Sequence, residues 1–408
     1  MFQNIPIWLR IVLSFALSFG ISYLMTPPVK VFAERVGAID VPKDSRRVHD
    51  HPIPRMGGLA IFVGFLLSVI VFVSFSTQIM GILIGALIIA MMGAVDDIMN
   101  LNAWVKLAVQ VVAALVAIRC GIVFTAISNP NFLSYNTTIQ IGWLAIPLTI
   151  LWIVGCTNAI NLIDGLDGLA VGVSAISSFS MMIVALFVAD ANTTFILAAL
   201  CGACVGFMPY NMNPAKIFMG DVGSQFLGYV LATTSIMGLF KLHTVITFIV
   251  PVLAMAIPLA DTLFAIVRRT LRGQSPFHAD KGHFHHRLLA LGLSQKQAVA
   301  VLYGVSAIMG LMGVLLAGRN TMMRILCIVA AFIVSLSVWL FVFWHNPNLK
   351  KKNGAAAPAP EAPSGAEAVS SADATPAPEA APAAETSGSD AGVQPSAAKL
   401  TADAGKSG

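Results

Sequence analysis

The sequence predicts an all-α integral membrane protein, and three observations predict it. The 408 residues are 57% hydrophobic and 11% charged, whereas soluble domains carry roughly 25% charged residues. Apolar runs of the length that crosses ~30 Å of hydrocarbon recur along the chain. Lysine and arginine fall unevenly between alternate loops, as they do in polytopic proteins. The net charge of +5 is therefore read as basic cytoplasmic loops. No nucleic-acid module, zinc-ligand spacing or soluble domain is visible, so nucleic acid is not an expected partner.

In chain order the predicted spans lie near 7–26, 57–76, 79–95, 103–120, 143–160, 168–189, 192–210, 222–240, 244–267, 297–317 and 323–345, about eleven helices. The third and fourth are short, because Asp96 and Asp97 interrupt the sequence between them. The N-terminal run holds Arg10 and is not followed by a small-residue cleavage site, so an uncleaved first span is expected. With the N-terminus outside, 17 Lys and Arg fall inside against 5 outside, leaving two far down the tail. That bias predicts an N-out, C-in topology. Residues 1–345 are read as the membrane domain. Residues 346–408 are Ala, Pro, Glu and Ser with almost no large apolar side chains, and are expected to form a disordered cytoplasmic tail. Cys201 and Cys204 have C-x-x-C spacing but stand in an apolar run, where packing rather than redox chemistry is expected.

A carboxylate near lipid is costly unless paired or solvated, so each acid at a span end is a functional candidate. Twelve acids precede the tail, and under this topology all but Asp190 face the cytoplasm. Asp96, Asp97, Asp164, Asp167, Asp221 and Asp261 stand at helix ends. Capping would account for any one of them. It accounts poorly for like charges brought together, which call for a cation. Oxygen donors of this kind suit Mg²⁺.

Four groups carry the chemistry. In GAVDDIMNLNAWVK, Asp96 and Asp97 end a span, and Lys106 is expected about two turns into the next helix, where it either snorkels or meets an anion. In NAINLIDGLDGLAVG, Asn158, Asn161, Asp164 and Asp167 recur every third residue, while Gly165 and Gly168 argue for a break in the helix. In PYNMNPAKIFMGDVGSQFLGY, Asp221 and Ser224 open a helix; Asp221 is either an N-cap or, with Asn211, Asn213 and Lys216, part of a phosphate or metal site. The loop RRTLRGQSPFHADKGHFHHRLL carries Arg268, Arg269, His283, His285, His286 and Arg287. Its spacing is poor for zinc, and hydrogen bonding to a phosphorylated ligand fits the arginines better.

Together these motifs, with PLADTLFAIVRR and RVHDHPIPRMGGLAIFVGF, resemble the polyprenyl-phosphate N-acetylhexosamine-1-phosphate transferases from about residue 20 to 300. The H-x-H-H loop is more similar to the branch that uses UDP-GlcNAc to start O-antigen or teichoic acid synthesis than to the branch that transfers phospho-MurNAc-pentapeptide. The resemblance implies transfer of GlcNAc-1-phosphate from UDP-GlcNAc to undecaprenyl phosphate, with UMP released, in the bacterial inner membrane at a cytoplasmic site. It implies Mg²⁺, with Mn²⁺ as a substitute, on Asp221 beside Asp97. It implies catalytic roles for Asp96, Asp97, Lys106, Asp164 and Asp167. Substrate contacts are implied at Asn158, Asn161, Lys216, Ser224, Arg268, Arg269, His283, His285, His286 and Arg287. The same chemistry on another UDP-HexNAc is the alternative. A lipid-carrier transporter is more remote, since its polar groups would sit at the midplane. The oligomeric state is left open between monomer and homodimer.

Overall fold

The computed structural model describes residues 5–41, 51–128, 138–187, 190–239, 245–271, 273 and 283–317, with short helical pieces between 322 and 337. The tail, most of the last predicted span, Arg272 and residues 274–282 lie outside them. The described chain is helical: α1 Ile7–Arg35, α2 Gly58–Phe72, α3 Thr77–Met99, α4 Ala103–Arg119, α5 Ala145–Ile163, α6 Leu169–Phe187, α7 Ala191–Asn211, α8 Gly220–Thr234, α9 Val245–Ala254, α10 Ala256–Leu271, α11 Phe284–Ala290 and α12 Gln295–Ala317. Strands are confined to two short antiparallel pairs, Ile39–Asp40 with Ile53–Pro54 and Ala126–Ser128 with Thr138–Gln140.

Among the described residues six helices are long and apolar enough to cross a membrane: α1, α3, α5 with its leading turn from Gly142, α6, α7 and α12. Large apolar side chains such as Leu24, Met91, Leu151 and Leu263 are exposed on helix faces. A bilayer solvates such faces, while water would drive them to aggregate. The protein is an all-α membrane protein.

Local chemistry sets the helix ends. Ser76 Oγ caps α3 by accepting the Ile79 N–H, and Asn100 ends it in the left-handed conformation. Asp96 and Asp97 therefore lie inside the last turn of α3, beyond the end predicted for that span. Asn102 Oδ1 caps α4 through the Trp104 N–H. That cap places Lys106 in the first turn of α4, not two turns in, so its ammonium stays at the bundle end. Asp190 is the N-cap of α7, accepting from Thr193. The run predicted as one span over 244–267 is two helices that meet at Met255, with Pro258 in the first turn of the second, where a missing N–H is harmless.

The helix α8 is the axis of the bundle. Every residue from Val222 to Thr234 is buried, and the helix packs on α2, α3 and α5. On one flank α1 lies across α7 and α2. Its buried face runs through Ser14, Ser18, Ser22 and Thr26, one small polar residue per turn, to Val29 and Ala33. Ser14 and Ser68 hydroxyls are 2.9 Å apart, and Thr26 Oγ1 donates to Ser22 O. Opposite this stripe, a Cβ on Gly206 would overlap the Phe19 carbonyl oxygen. Small residues of this kind let helix backbones approach where lipid supplies no hydrophobic drive. Gly206→Val is expected to cost about 1–3 kcal/mol through overpacking. Thermal melting of the purified protein in detergent checks this, and a wild-type melting temperature would contradict the close approach.

Candidate active site

The helix ends converge at one end of the bundle. At its centre is the N-terminus of α8, whose first N–H groups have no partner within the helix. The partner comes from α3: Asp97 Oδ1 accepts the Asp221 N–H at 3.0 Å and Oδ2 the Val222 N–H at 3.3 Å. Arg55 reaches the same Oδ1 through Nε at 3.0 Å and Nη2 at 2.9 Å. Gly220 precedes the helix at φ +72°, and a Cβ there would run into the Asp97 carboxylate. Glycine is required on both counts.

Asp221 then faces the converging polar groups. Lys106 Nζ donates to Asp221 Oδ2 at 2.9 Å and to Asp96 Oδ2 at 2.5 Å. The other Asp96 oxygen accepts the Leu101 N–H at 2.7 Å. Asn161 Nδ2 donates to Asp221 Oδ1 at 3.1 Å and to Ser224 Oγ at 2.8 Å. One turn deeper, Gln225 donates to Asp221 Oδ2 at 2.7 Å, Gln110 donates to Gln225 Oε1 at 2.8 Å, and Asn158 donates to Gln110 Oε1 at 2.7 Å. Lysine 106 thus meets anions and does not snorkel.

The break expected at Gly165 is present. Helix α5 ends with Asp164 as its C-cap, so Asn158 and Asn161 lie on the helix while Asp167 lies in the loop. Asp167 Oδ2 accepts from Asn213 Nδ2 at 2.9 Å and from the Ala215 N–H at 3.1 Å. Asn211 accepts the Gly168 N–H, and Tyr303 of α12 donates to Gly168 O. Asn211 and Asn213 therefore brace this loop.

A cavity of about 360 Å³ opens here, walled in part by Arg55, Asn161, Asp164, Asp167, Asp221 and His286. Its lining includes four aspartates, the fourth being Asp40, and one arginine. Burial and the neighbouring Asp221 and Asp97 charges push the Asp164 carboxyl up to about 8, against the opposing pull of Arg55. Negative charge is thus in excess. Among the described residues no three His, Cys, Asp or Glu side chains come together closely enough to cage a metal. Mg²⁺ does not need a cage: it binds through one or two carboxylates and completes its shell with waters and substrate phosphates. The donor set fits that ion, with Asp221 and Asp164 on the cavity wall. Both Asp97 oxygens are already engaged as cap and Arg55 partner, so Asp97 supports Asp221 from behind.

The remaining candidates separate. Asn158 and Ser224 lie behind the wall, in the polar chain and under Asn161. Lys216 is exposed and outside the cavity wall. Arg268 and Arg287 border a second cleft of about 320 Å³ with Phe264, Val267 and Leu271, and Arg269 is buried on α10. The histidines divide as well: His286 borders the main cavity, His285 packs on Gly165, and His283 pairs with Asp261 at 2.7 Å. Arg55, Gln110 and Gln225 were not singled out from sequence. The signal for the glutamines is a spacing of four, Lys106 to Gln110 and Asp221 to Gln225, which extends one polar face into an apolar helix.

Gly220→Ala is expected to lose about 1–2 kcal/mol from the left-handed backbone alone, and more from displacement of Asp97. An unchanged melting temperature would contradict the cap.

Residues 79–239 match the family described as Glycosyl transferase family 4. The chain is 42% identical over 309 residues to a probable undecaprenyl-phosphate N-acetylglucosaminyl 1-phosphate transferase of Bacillus subtilis, covering 76% of this chain and 85% of that one. It is 35% identical over 312 residues to the decaprenyl-phosphate N-acetylglucosaminephosphotransferase of Mycobacterium tuberculosis, covering 69% and 76%. To a phospho-N-acetylmuramoyl-pentapeptide-transferase of Heliobacterium modesticaldum it is 34% identical over 280 residues, covering 65% and 83%. A carboxylate-rich site at the end of an apolar bundle, and likeness of this extent, make the chain a member of the polyprenyl-phosphate N-acetylhexosamine-1-phosphate transferase family and an enzyme.

Proposed function

We propose that this chain transfers GlcNAc-1-phosphate from UDP-GlcNAc to undecaprenyl phosphate, as the first membrane step of a cell-envelope polysaccharide. The observation that carries the reading is the Asp221–Lys106–Asp96 cluster, whose Asp221 lines the cavity, in a chain most similar, among the relatives above, to one named for that reaction. An oxygen of the lipid phosphate attacks the phosphorus that bears GlcNAc. The bond from that phosphorus to the UMP oxygen breaks, and undecaprenyl-diphospho-GlcNAc and UMP result. Phosphoryl-type transfer is mostly positioning and charge neutralisation. Bound Mg²⁺, for which Mn²⁺ would substitute, would be held by Asp221 with Asp164 beside it and would supply charge neutralisation at the diphosphate. Lys106 sits on Asp221 and Asp96 and offsets further negative charge as it builds on the leaving phosphate. Asn161 orients Asp221.

Asp97 has no proton to take in this reading. A phosphate monoester with a second pKa near ~6 is already largely dianionic at neutral pH, and Asp97 is held by Arg55 and the helix N-terminus. The reading also assigns eleven spans, an outside N-terminus and a cytoplasmic site in the bacterial inner membrane, where a soluble UDP-sugar meets the inner-leaflet carrier. Phospho-MurNAc-pentapeptide is the competing donor group, favoured by the Heliobacterium relative.

Three outcomes test this. Purified protein with undecaprenyl phosphate, Mg²⁺ and UDP-GlcNAc is expected to release UMP and form lipid-linked GlcNAc, and Asp221→Ala or EDTA to abolish both. Product only from a different UDP-sugar would replace the substrate and keep the chemistry. Lys106→Met is expected to lower kcat by about 10²–10³-fold, the usual loss for one preorganised charge-stabilising donor; a near-normal kcat would remove Lys106 from the transition state. Asp97→Asn is expected to lose activity without recovery as the pH rises, whereas recovery at high pH would establish a general base.

A further inference from the structure

One buried carboxylate lies outside the cavity wall and has no part in the chemistry above. Asp261 of α10 is 2% exposed, while Leu263, Phe264 and Val267 of the same helix are turned outward. A buried carboxylate is costly unless its oxygens are hydrogen-bonded. Here the partners come from a different segment. Asp261 Oδ2 lies 2.7 Å from His283 Nδ1, and Oδ1 accepts the Phe284 N–H at 2.8 Å.

His283 is the N-cap residue of α11 and makes no side-chain cap bond of its own. Asp261 supplies, from α10, an acceptor for the Phe284 N–H, one of the first N–H groups that have no partner within the helix. The rings of Phe264 and Phe284 meet edge to face at 5.8 Å, a second contact between the two helices. From this anchor the histidines follow in register. His285 is 3% exposed, and a Cβ on Gly165 would stand 2.6 Å from its Nε2. The His285 and His286 rings lie 4.3 Å apart, and His286 borders the main cavity beside the Asp164–Asp167 loop.

We infer that Asp261 is a positioning residue for the site: it docks α11 onto α10 and so holds His286 in the cavity wall. The inference rests on the transferase reading for what occupies the cavity, and on geometry alone for the docking. The two parts can therefore fail separately.

The test compares wild-type, Asp261→Ala and Asp261→Asn full-length protein in lipid nanodiscs. Two readouts are used: steady-state kinetics with UDP-GlcNAc and undecaprenyl phosphate, and deuterium uptake by the backbone amides of residues 283–290. Asp261→Ala is expected to speed exchange in that segment and to raise the KM for UDP-GlcNAc about tenfold, the size of losing one buried hydrogen-bonded contact. The change in KM should exceed that in kcat, and the KM for undecaprenyl phosphate should hold. Asp261→Asn keeps an acceptor for the Phe284 N–H and should restore most of both readouts. Unchanged exchange with unchanged KM would overturn the inference. So would a fall in kcat that tracks a lowered melting temperature at constant KM, which marks a core carboxylate only. Wild-type protein silent with every donor would overturn the transferase reading, and the exchange comparison would still decide the docking.

Discussion

A fully buried helix must hand its first N–H groups to something, and in this bundle the recipient is Asp97. The cap comes from α3, so forming it fixes α3 against α8. Arg55 balances the carboxylate and brings in the segment before α2. Backbone bonds strengthen that junction: Phe218 N–H donates to Pro54 O, and the Gly57 and Gly58 N–H groups donate to Phe218 O and Met219 O. Three separate stretches of chain are tied at one point, and Asp221 is the next residue along. Its carboxylate is aimed by a helix that cannot rotate without losing its cap.

Below that point the bundle carries a polar chain, Asp221 to Gln225 to Gln110 to Asn158, inside otherwise apolar packing. A half-satisfied buried network costs more than an apolar core, whereas a complete one specifies a single arrangement. Here each amide both donates and accepts. Rotation of α4 or α5 about its axis would orphan at least one of them. The network therefore sets the azimuth of two helices whose other contacts are apolar and non-directional.

Charge distribution then gives the site its preference. Four aspartates against one arginine on a cavity of about 360 Å³ leave excess negative charge. Burial, with that charge added to it, drives the Asp164 carboxyl toward its neutral form. A divalent cation would relieve that excess and convert an anionic pocket into one that accepts phosphates. Lys106 and Arg55, each held by carboxylates, add fixed positive charge without closing the cavity.

The membrane class, the run of apolar helices and the polar motifs that converge at one end of the bundle were all legible in the sequence, because hydropathy and charge placement are local properties. Asp96, Asp97, Lys106, Asn161, Asp164, Asp167 and Asp221 were identified from residue type and spacing, and the loop after Ile163 from its glycines. The tertiary structure alone decided how the work is divided among them. Asp97 caps a helix and Arg55 is its partner; Ser224 lies behind the wall, Asn211 and Asn213 brace the Asp167 loop; and Arg268 and Arg287 line a separate cleft. It also decided that the three histidines have three different surroundings, and that Asp261 holds the first of them. The bonds that pair Asp261 with His283, Arg55 with Asp97 and Asp97 with α8 join residues between 22 and 125 apart. A hydrogen bond is made only when the fold brings donor to acceptor, so spacing along the chain could propose these side chains but could not pair them.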